Sequence, residues 1–342
     1  MNDEKKLKIS NCLDTTGFVL EYNVSKLLED NNWNVINNRY YLDDIERINR
    51  EMDIIAYKVH EKDEILYYTS LIISCKKNQS DYWGFLTKEF RDKDPNINFC
   101  PIWNWSNDKV LNFMIEPKKI EERIYEMTHL HPHLQFAYGV NDQVFAYQQI
   151  SKKDFTRKNQ KGIYESIETS IKAFEYEKSA LDARVENKAI YNFNILSIFD
   201  GEMLKIHFDD KDRSVTEIDE IKYLNRLIFN DKEAFYRVHF ISYEKLNNYI
   251  NHFNELHTWN INFYSSLISE YYDTFTKMEN NKGIELLLEE YKKATLTYLS
   301  LETGNNLDEL ELKYNHNHQI LEIGVGSSNF GTNFEKYKEI AN

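Results

Sequence analysis

Two charged residues, Asp53 and Lys76, stand out because each lies in an apolar segment. Asp53 is inside segment 51–57, and Lys76 closes segment 65–76. In adjacent antiparallel strands alternate residues share a face, so one hairpin can direct both side chains from the same edge of a sheet. A buried carboxylate is costly unless a cation compensates it, and Mg²⁺ together with Lys76 would do so. The pair therefore predicts metal-assisted chemistry, in which an ion polarises a substrate oxygen and lowers the pKa of a bound water.

A structural interpretation of the same pair stays open. Asp53 can cap or pair within the fold, and Lys76 can extend its ammonium group from a strand end into solvent.

The elements that must position the pair follow from the apolar spacing. Residues 17–28 have helical spacing, and segments 33–36, 51–57 and 65–76 are rich in β-forming residues, which predicts a helix followed by three adjacent antiparallel strands. A short amphipathic helix is expected over 81–90. The aromatic segment 97–105 is expected to add a fourth strand.

The rest of the chain predicts further helices and strands. Ile163, Ile167, Ile171 and Phe174 recur at the spacing of one buried stripe, so a helix is expected over 162–185. Segments 190–199 and 203–208 flank Asp200-Gly201 and predict a hairpin. The remaining expectations are a helical turn or two over 120–127, a strand or hairpin over 134–150, a strand over 235–241, a helix over 243–256, and a mostly helical tail from 259 to about 301.

These elements predict an α+β protein. A chain of 342 residues corresponds to about two domains at ~150 residues each. The pattern changes after residue 187, so we expect one domain over 1–186 and an α+β accessory region over 187–342.

Composition limits the classes of function. The chain has 42 Lys plus Arg against 56 Asp plus Glu, a net charge of −14, which argues against a protein that coats nucleic acid by bulk charge. The cysteines at 12, 75 and 100 form no paired motif, so we expect no disulfide framework or zinc ribbon and a reducing cytoplasm. The charged start and the lack of ~18 consecutive apolar residues predict neither export by a signal peptide nor a membrane span.

Over residues 14 to 90 the chain resembles the PD-(D/E)XK restriction-endonuclease-like superfamily. The resemblance rests on GFVLEYNV from residue 17, Trp33, REMDIIA from residue 50 and LIISCKK from residue 71. It implies a mixed central sheet flanked by helices, with Asp53 binding Mg²⁺, or Mn²⁺ in its place, and Lys76 orienting or activating the attacking water. The implied activity is DNA endonuclease cleavage in bacterial restriction or antiviral defence, by a homodimer or with a partner subunit.

The chain departs from this pattern at Ser74, where the family usually has Asp or Glu. The resemblance offers Glu21 on the first helix or Glu89, thirteen residues after Lys76, as the replacement acid. Because Mg²⁺ often keeps several waters, Asp53, one of these glutamates and the Cys75 carbonyl could suffice. If neither glutamate reaches the site, the chain would be a degenerate nuclease-fold subunit that binds DNA or a partner protein. A third interpretation is that the chain is an unrelated α+β interaction protein.

Basic residues supply candidate contacts to DNA phosphates, which position a duplex without reading its sequence. The clearest cluster is Lys152, Lys153, Arg157, Lys158 and Lys161, and Lys77 and Lys88 add charge near the proposed site. A solvated loop or helix start explains the cluster equally well. A metal site at His129, His131 and His133 is less expected than a surface loop, because Pro132 breaks regular strand geometry and no matching Cys or acid cluster stands beside them.

Overall fold

The computed structural model describes most of the chain. The described residues are 1–13, 16–42, 48–90, 101–108, 111–112, 119–210, 212–229, 232–276, 296–298, 300–301, 309–315, 320–326 and 335–337. The chain divides into two compact units, Met1–Ser266 and Leu267–Asn342.

The helices long enough to name are α1 Asp3–Leu13, α2 Gly17–Asp30, α3 Lys119–Met127, α4 Pro132–Tyr138, α5 Lys161–Ser179, α6 Leu181–Arg184 and α7 Tyr243–Thr276. A 3₁₀ turn, Thr128–Leu130, joins α3 to α4. The strands are β1 Asn34–Leu42, β2 Asn49–Lys62, β3 Ile65–Lys77, β4 Asp81–Glu89, β5 Trp103–Ser106, β6 Asp142–Ser151, β7 Ala189–Asp200, β8 Met203–Phe208, β9 Arg213–Ile218, β10 Glu220–Phe229, β11 Lys232–Ser242, β12 Glu309–Asn315, β13 Ile320–Gly326 and β14 Glu335–Tyr337.

A seven-stranded mixed sheet forms the centre of the first unit. Its strand order is β1-β2-β3-β7-β11-β10, and β5 pairs with the first half of β7. The β1-β2-β3 meander is antiparallel, whereas β7 is parallel to both β3 and β11. The expected α+β class with a mixed sheet flanked by helices is therefore confirmed.

Helix α5 covers one face of this sheet. Its stripe of Ile163, Ile167, Ile171 and Phe174 is buried, as the helical spacing predicts. These side chains pack in one core with Ile55 and Ile72 from β2 and β3. Helix α5 therefore lies over the strands that carry Asp53 and Lys76.

A four-stranded sheet with the order β6-β4-β8-β9 packs on the same core. Trp83 of β4 stacks on Phe199 of β7, with the ring centroids 3.8 Å apart. In the second unit β12, β13 and β14 form an antiparallel sheet of their own. Among the described residues, no helix has the length and apolar character needed to cross a bilayer.

The expected helix over 81–90 is wrong, because these residues form β4. Trp83, Phe85 and Thr87 are buried at every second position, which is the period of a strand. Gly84 lies between β6 and β8, where a Cβ atom would come within 3.2 Å of the Gln148 carbonyl oxygen. The aromatic residues Trp83 and Phe85, whose spacing resembles a helical face, instead pack in the core of the first unit.

Two other expectations change in detail. The segment 134–150 holds the end of helix α4, which begins at Pro132, and then the strand β6. Proline suits the first position of a helix because its missing N–H has no partner there. The expected fourth strand corresponds only to β5, which pairs with β7, and residues 97–100 lie outside the described residues.

The expected hairpin over 190–208 is wrong, although both of its strands exist. Strand β7 lies in the seven-stranded sheet and β8 in the four-stranded sheet, so the Asp200-Gly201 turn passes the chain from one sheet to the other. At Gly201 a Cβ atom would lie 2.4 Å from the Asn78 carbonyl oxygen, so this close approach requires glycine.

The expected domain boundary near residue 187 falls inside the first unit. Strand β7 begins at Ala189 and pairs with β3 along its whole length. The compact units divide instead between Ser266 and Leu267.

Candidate active site

Asp53 and Ser74 stand opposite each other just beyond the β2–β3 ladder, whose last pair is Ile54 with Ile73. Asp53 Oδ2 accepts a hydrogen bond of 2.7 Å from the Cys75 N–H and one of 3.3 Å from the Ser74 hydroxyl. At this point the Asp53 carboxylate, and not a backbone carbonyl group of β2, accepts the hydrogen bond from β3. These bonds fix the position of the carboxylate between the two strands.

Lys76 reaches the same carboxylate. Its Nζ lies 4.0 Å from Asp53 Oδ2, and the Lys76 and Asp53 side chains are 30% and 21% exposed. The two residues are brought together by the two-residue alternation of β3, since Ser74 and Lys76 share a face. At 4.0 Å and partly in water, the ion pair is loose enough for Lys76 to turn toward a bound anion.

Glu21 of α2 belongs to the same electrostatic environment. Burial raises the pKa of Glu21, and the negative charges of Asp53 and Glu51 raise it further, whereas Lys76 acts in the opposite direction. Three carboxylates thus interact at one end of β2 with one lysine beside them. A perturbed carboxyl group next to specific charge partners is typical of functional sites, although structural networks also produce it.

Glu51 is a residue that the sequence analysis did not select. It precedes Asp53 by two positions and therefore lies on the same face of β2. Glu51, Asp53 and Ser74 line a narrow recess together with Thr169 and Ser170 of α5. The i, i+2 spacing of two acids within one strand was the signal that could have identified it.

Metal binding at this end of the sheet needs few protein ligands. Among the described residues, no three His, Cys, Asp or Glu side chains are arranged to hold a metal ion. Asp53 and Glu21 nevertheless repel each other, and a divalent cation would relieve that repulsion. Mg²⁺ is commonly held by one or two carboxylates and several waters, so this pair fits a mostly hydrated ion.

Cys75 contributes through its backbone. Its thiol is buried, and burial raises the pKa of the thiol well above the ordinary value, so it remains protonated. The Cys75 N–H is committed to Asp53. Only its carbonyl group remains as the metal ligand suggested by the sequence.

Glu89 is placed elsewhere by the fold. The proposed role assumed a helix after β3, but Glu89 ends β4 opposite Asp142. Asp81 at the start of β4 accepts a hydrogen bond from Asn78, close to the end of β3. Eight residues of strand then separate Glu89 from Asp81 by about 26 Å. Lys88 precedes Glu89 on this distant part of β4, so neither residue joins the candidate site.

The basic cluster lies nearer to the end of β3. The Lys152 N–H donates to the Ser80 carbonyl oxygen at 3.0 Å, which holds the start of the β6–α5 loop beside the chain that leaves β3. Two of the expected DNA contacts are already paired, since Lys152 Nζ lies 2.7 Å from Glu202 and Lys77 Nζ lies 2.9 Å from Asp200. The basic side chains of this loop that remain exposed are those of Lys153, Arg157 and Lys158.

Comparison with known proteins adds no relative: no family model, curated protein or solved structure matches this chain.

Proposed function

We propose that this protein is a Mg²⁺-dependent DNA endonuclease of the PD-(D/E)XK type. The observation that supports it most is the convergence of Asp53, Lys76 and Glu21 at one end of the β2–β3 pair. These residues are separated by 32 and 23 positions in the sequence, and the resemblance assigns each of them a part in phosphodiester hydrolysis.

Each residue has a defined part in the proposed reaction. Asp53 and Glu21 would hold the ion, for which Glu21 must be ionised. The chemistry supplied there would be polarisation of the scissile phosphate and a lowered pKa of a water on the ion. Lys76 places its ammonium group beside the attacking water and the phosphate, where a fixed positive charge stabilises the negative charge that develops on the oxygens. Ser74 takes the place of the usual second acid and holds Asp53 through its hydroxyl group.

DNA would approach over the exposed part of the β6–α5 loop. Lys153, Arg157 and Lys158 are exposed there and carry positive charge on a chain of net charge −14. Phosphate contacts of this kind position a duplex without selecting its sequence. A dimer or a partner subunit, and a cytoplasmic role in defence against foreign DNA, are part of the proposal through the resemblance alone.

Two hydrogen bonds favour a second candidate function, a degenerate nuclease-fold subunit that binds DNA or a partner protein. Asp53 Oδ2 already accepts two hydrogen bonds from Ser74 and Cys75, which is what a purely structural cap would do. The two functions differ in whether the charge of Asp53 is needed or only its capacity to accept hydrogen bonds.

The test is cleavage of supercoiled, linear and single-stranded DNA by the purified wild type and Asp53→Asn, with Mg²⁺, Mn²⁺ or EDTA. The asparagine keeps an acceptor oxygen but removes the charge. Asp63→Asn is the matched control, because Asp63 lies at the other end of the same hairpin with φ at 52°, a conformation that asparagine tolerates.

Metal-dependent cleavage that is lost in Asp53→Asn and kept in Asp63→Asn supports the nuclease. Cleavage retained in Asp53→Asn would overturn the assignment of this site. If the wild type binds DNA in a gel-shift assay but cleaves none of the three substrates with either metal, the degenerate subunit replaces the enzyme.

A further inference from the structure

Strand β9 lies at the edge of the four-stranded sheet, whose order is β6-β4-β8-β9. Among the described strands it pairs only with β8, in a continuous register. The side chains from Arg213 to Glu217 are all exposed, and Val215 is 62% exposed. An edge strand presents a row of backbone N–H and C=O groups on which another strand can pair.

The direction of these backbone groups follows from the turn between β8 and β9. The Asp209 N–H donates to the Asp212 carbonyl oxygen at 3.1 Å, so these two residues form a hydrogen-bonded pair. In an antiparallel ladder such pairs alternate with pairs that exchange no hydrogen bond. Ser214 and Thr216 therefore bond to β8. The residues between them direct their N–H and C=O groups away from β8, and these residues are Arg213, Val215 and Glu217.

The opposite edge of β8 gives the same alternation. The Trp83 N–H of β4 donates to the Glu202 carbonyl oxygen at 3.0 Å, so the even-numbered residues of β8 direct their backbone groups to β4. The odd-numbered residues direct theirs to β9, where Met203 is opposite Ile218. The even-numbered residues of β9 are thus the ones bonded to β8.

The sequence of β9 is complementary to itself when two copies run antiparallel. With Val215 of both copies at a two-fold axis, Arg213 of each copy stands opposite Glu217 of the other. Within one strand these two charges are four residues apart, about 13 Å, and do not meet. A shift of two residues in either direction would place Val215 opposite a charged side chain. The charges therefore select one register.

The backbone groups fit the same register. Each of the three outward-directed residues meets an outward-directed residue of the other copy, so each pair exchanges two backbone hydrogen bonds. Ser214 stands opposite Thr216, and paired hydroxyl side chains also favour strand pairing. The Arg213 guanidinium lies 4.8 Å from the centroid of the Phe208 ring, which keeps its charge beside the edge.

The charges of β9 do not protect the edge in the usual way. Many proteins prevent edge pairing with proline, a bulge or repelling charges. Strand β9 has no proline and no bulge against β8. Its two charges have opposite signs and lie symmetrically about Val215, so a second copy is attracted where a copy with like charges would be repelled.

We propose that β9 is the interface of a homodimer, in which two copies pair antiparallel about Val215 and join their four-stranded sheets. The proposal uses no residue of the proposed active site, so it holds whether or not the protein cleaves DNA. It assigns a surface to the dimer that the resemblance implies. A contact between two short strands is small beside a standard interface of roughly 1,600 Å², so we expect a reversible dimer with Kd in the micromolar range.

The test is sedimentation equilibrium of the full chain over a wide micromolar concentration range, in EDTA and without DNA. We expect the mass to rise with concentration from that of one chain to that of two. A wild type that stays monomeric over this range overturns the proposal and leaves the edge to a strand of another protein.

Charge reversal tests the register. Removing one charge would change little, because exposed ion pairs are weak. Arg213→Glu instead places two carboxylates opposite each other at both ends of the contact, and Glu217→Arg does the same with two cations. Each variant should raise Kd about tenfold or more. The double variant Arg213→Glu/Glu217→Arg exchanges the charges and should restore most of the affinity.

Val215→Pro tests the backbone pairing. It removes an N–H group that does not bond to β8, and proline is tolerated on an edge strand where the N–H faces outward. We expect the dimer to be lost while the circular dichroism spectrum is unchanged. Val215→Thr is the matched control, because it keeps the N–H group and the branched side chain and should dimerise.

The proposal is overturned if Val215→Pro, folded by circular dichroism, dimerises as the wild type does. It is also overturned if the single charge reversals leave Kd unchanged, or if the double variant fails to restore what each of them removes. Because sedimentation involves no cleavage, failure of the proposed dimer is distinguishable from failure of the proposed nuclease.

Discussion

Two charged clusters occupy the seven-stranded sheet, and they differ in how their charges are compensated. At the end of β2 and β3, Asp53 and Lys76 stand 4.0 Å apart and are partly exposed, and Glu21 is repelled by its neighbours. On β10 and β11, Lys222, Arg237 and His239 are all more than nine-tenths buried around Glu220.

In the β10–β11 cluster Glu220 is tightly paired. Glu220 Oε2 lies 2.5 Å from His239 Nε2 and 3.5 Å from Lys222 Nζ, and Arg237 lies over the Tyr138 ring at 4.7 Å. Burial alone would raise the pKa of Glu220, but His239 and Lys222 outweigh burial and lower it to about 2. Burial lowers the pKa of His239 to about 4, so its ring is neutral near pH 7.

The larger pKa shifts therefore lie in the cluster with the stronger structural role. Buried charges need close partners, and removing a partner exposes a large desolvation cost. The β2–β3 cluster keeps its charges at a loosely paired, partly exposed strand end, which is where the proposed ion and phosphate would bind. Exposure and unrelieved repulsion, more than the size of a pKa shift, mark the candidate active site.

The largest expected effect is on catalysis at the open cluster. Lys76→Met keeps the aliphatic stem but removes the charge beside the phosphate, so we expect a 10²- to 10³-fold loss of kcat in the metal-dependent cleavage assay. Lys77→Met is the matched control, because Lys77 points to the other face of β3 and pairs with Asp200. Equal losses of kcat in both variants would show that cleavage depends on the total positive charge and not on the position of Lys76.

The next effect is on stability at the buried cluster. Glu220→Gln leaves Lys222 buried without its acidic partner, so the free energy of unfolding should fall by about 3 kcal/mol in urea denaturation. Glu217→Gln on the preceding strand β9, where the side chain is exposed, should change the free energy of unfolding by less than about 0.5 kcal/mol. If Glu220→Gln is as stable as wild type, the β10–β11 cluster does not have the stronger structural role assigned to it.

Glu21→Gln should reduce cleavage about tenfold, because a neutral amide oxygen replaces one of the two carboxylates proposed to hold the ion, yet slightly raise stability at pH 7. The pKa of Glu21 is raised in the folded protein. The contribution of Glu21 to the free energy of unfolding is therefore fully present below its unfolded-state pKa near 4.5, and it is lost as the pH rises through the folded-state pKa. The glutamine has no charge to repel, but solvent screens this half-exposed site, so the gain stays well below ~1 kcal/mol.

The stability gain of Glu21→Gln should disappear below pH 4.5, where Glu21 is protonated in both states. Urea denaturation of both proteins at pH 7 and pH 4 checks this sign. A variant less stable than wild type at pH 7 would show that Glu21 is a structural partner, as Glu220 is.

The smallest effects concern the loop beside the open cluster. Lys153→Gln should weaken DNA binding a few-fold at low salt, because one phosphate contact is lost. Glu202→Gln should strengthen it, since Lys152 loses the carboxylate that now holds it. Fluorescence anisotropy against salt concentration measures both, and equal affinities for the two variants would remove this loop from the DNA interface.

Local patterns predicted the parts of the fold that rest on local contacts. The buried stripe of α5 follows from helical spacing, and the β2–β3 hairpin with Asp53 opposite Ser74 follows from two apolar runs joined by a short polar break. The amphipathic interpretation of 81–90 failed because the partners of β4 are β6 and β8, which lie more than 50 residues away at the nearest pair of strand ends. Glu89 was misplaced for the same reason.

By itself the amino-acid sequence determined the residue types at the open cluster, the strand alternation that puts Ser74 and Lys76 on one face, and the helical stripe of α5, because each depends on neighbours along the chain. Only the tertiary structure decided that β7 lies between β3 and β11, that Glu21 joins Asp53 and Glu89 does not, and that β9 forms an edge of the four-stranded sheet. Those outcomes depend on strand pairing and burial between distant segments, where the free energy comes from packing that no local pattern encodes.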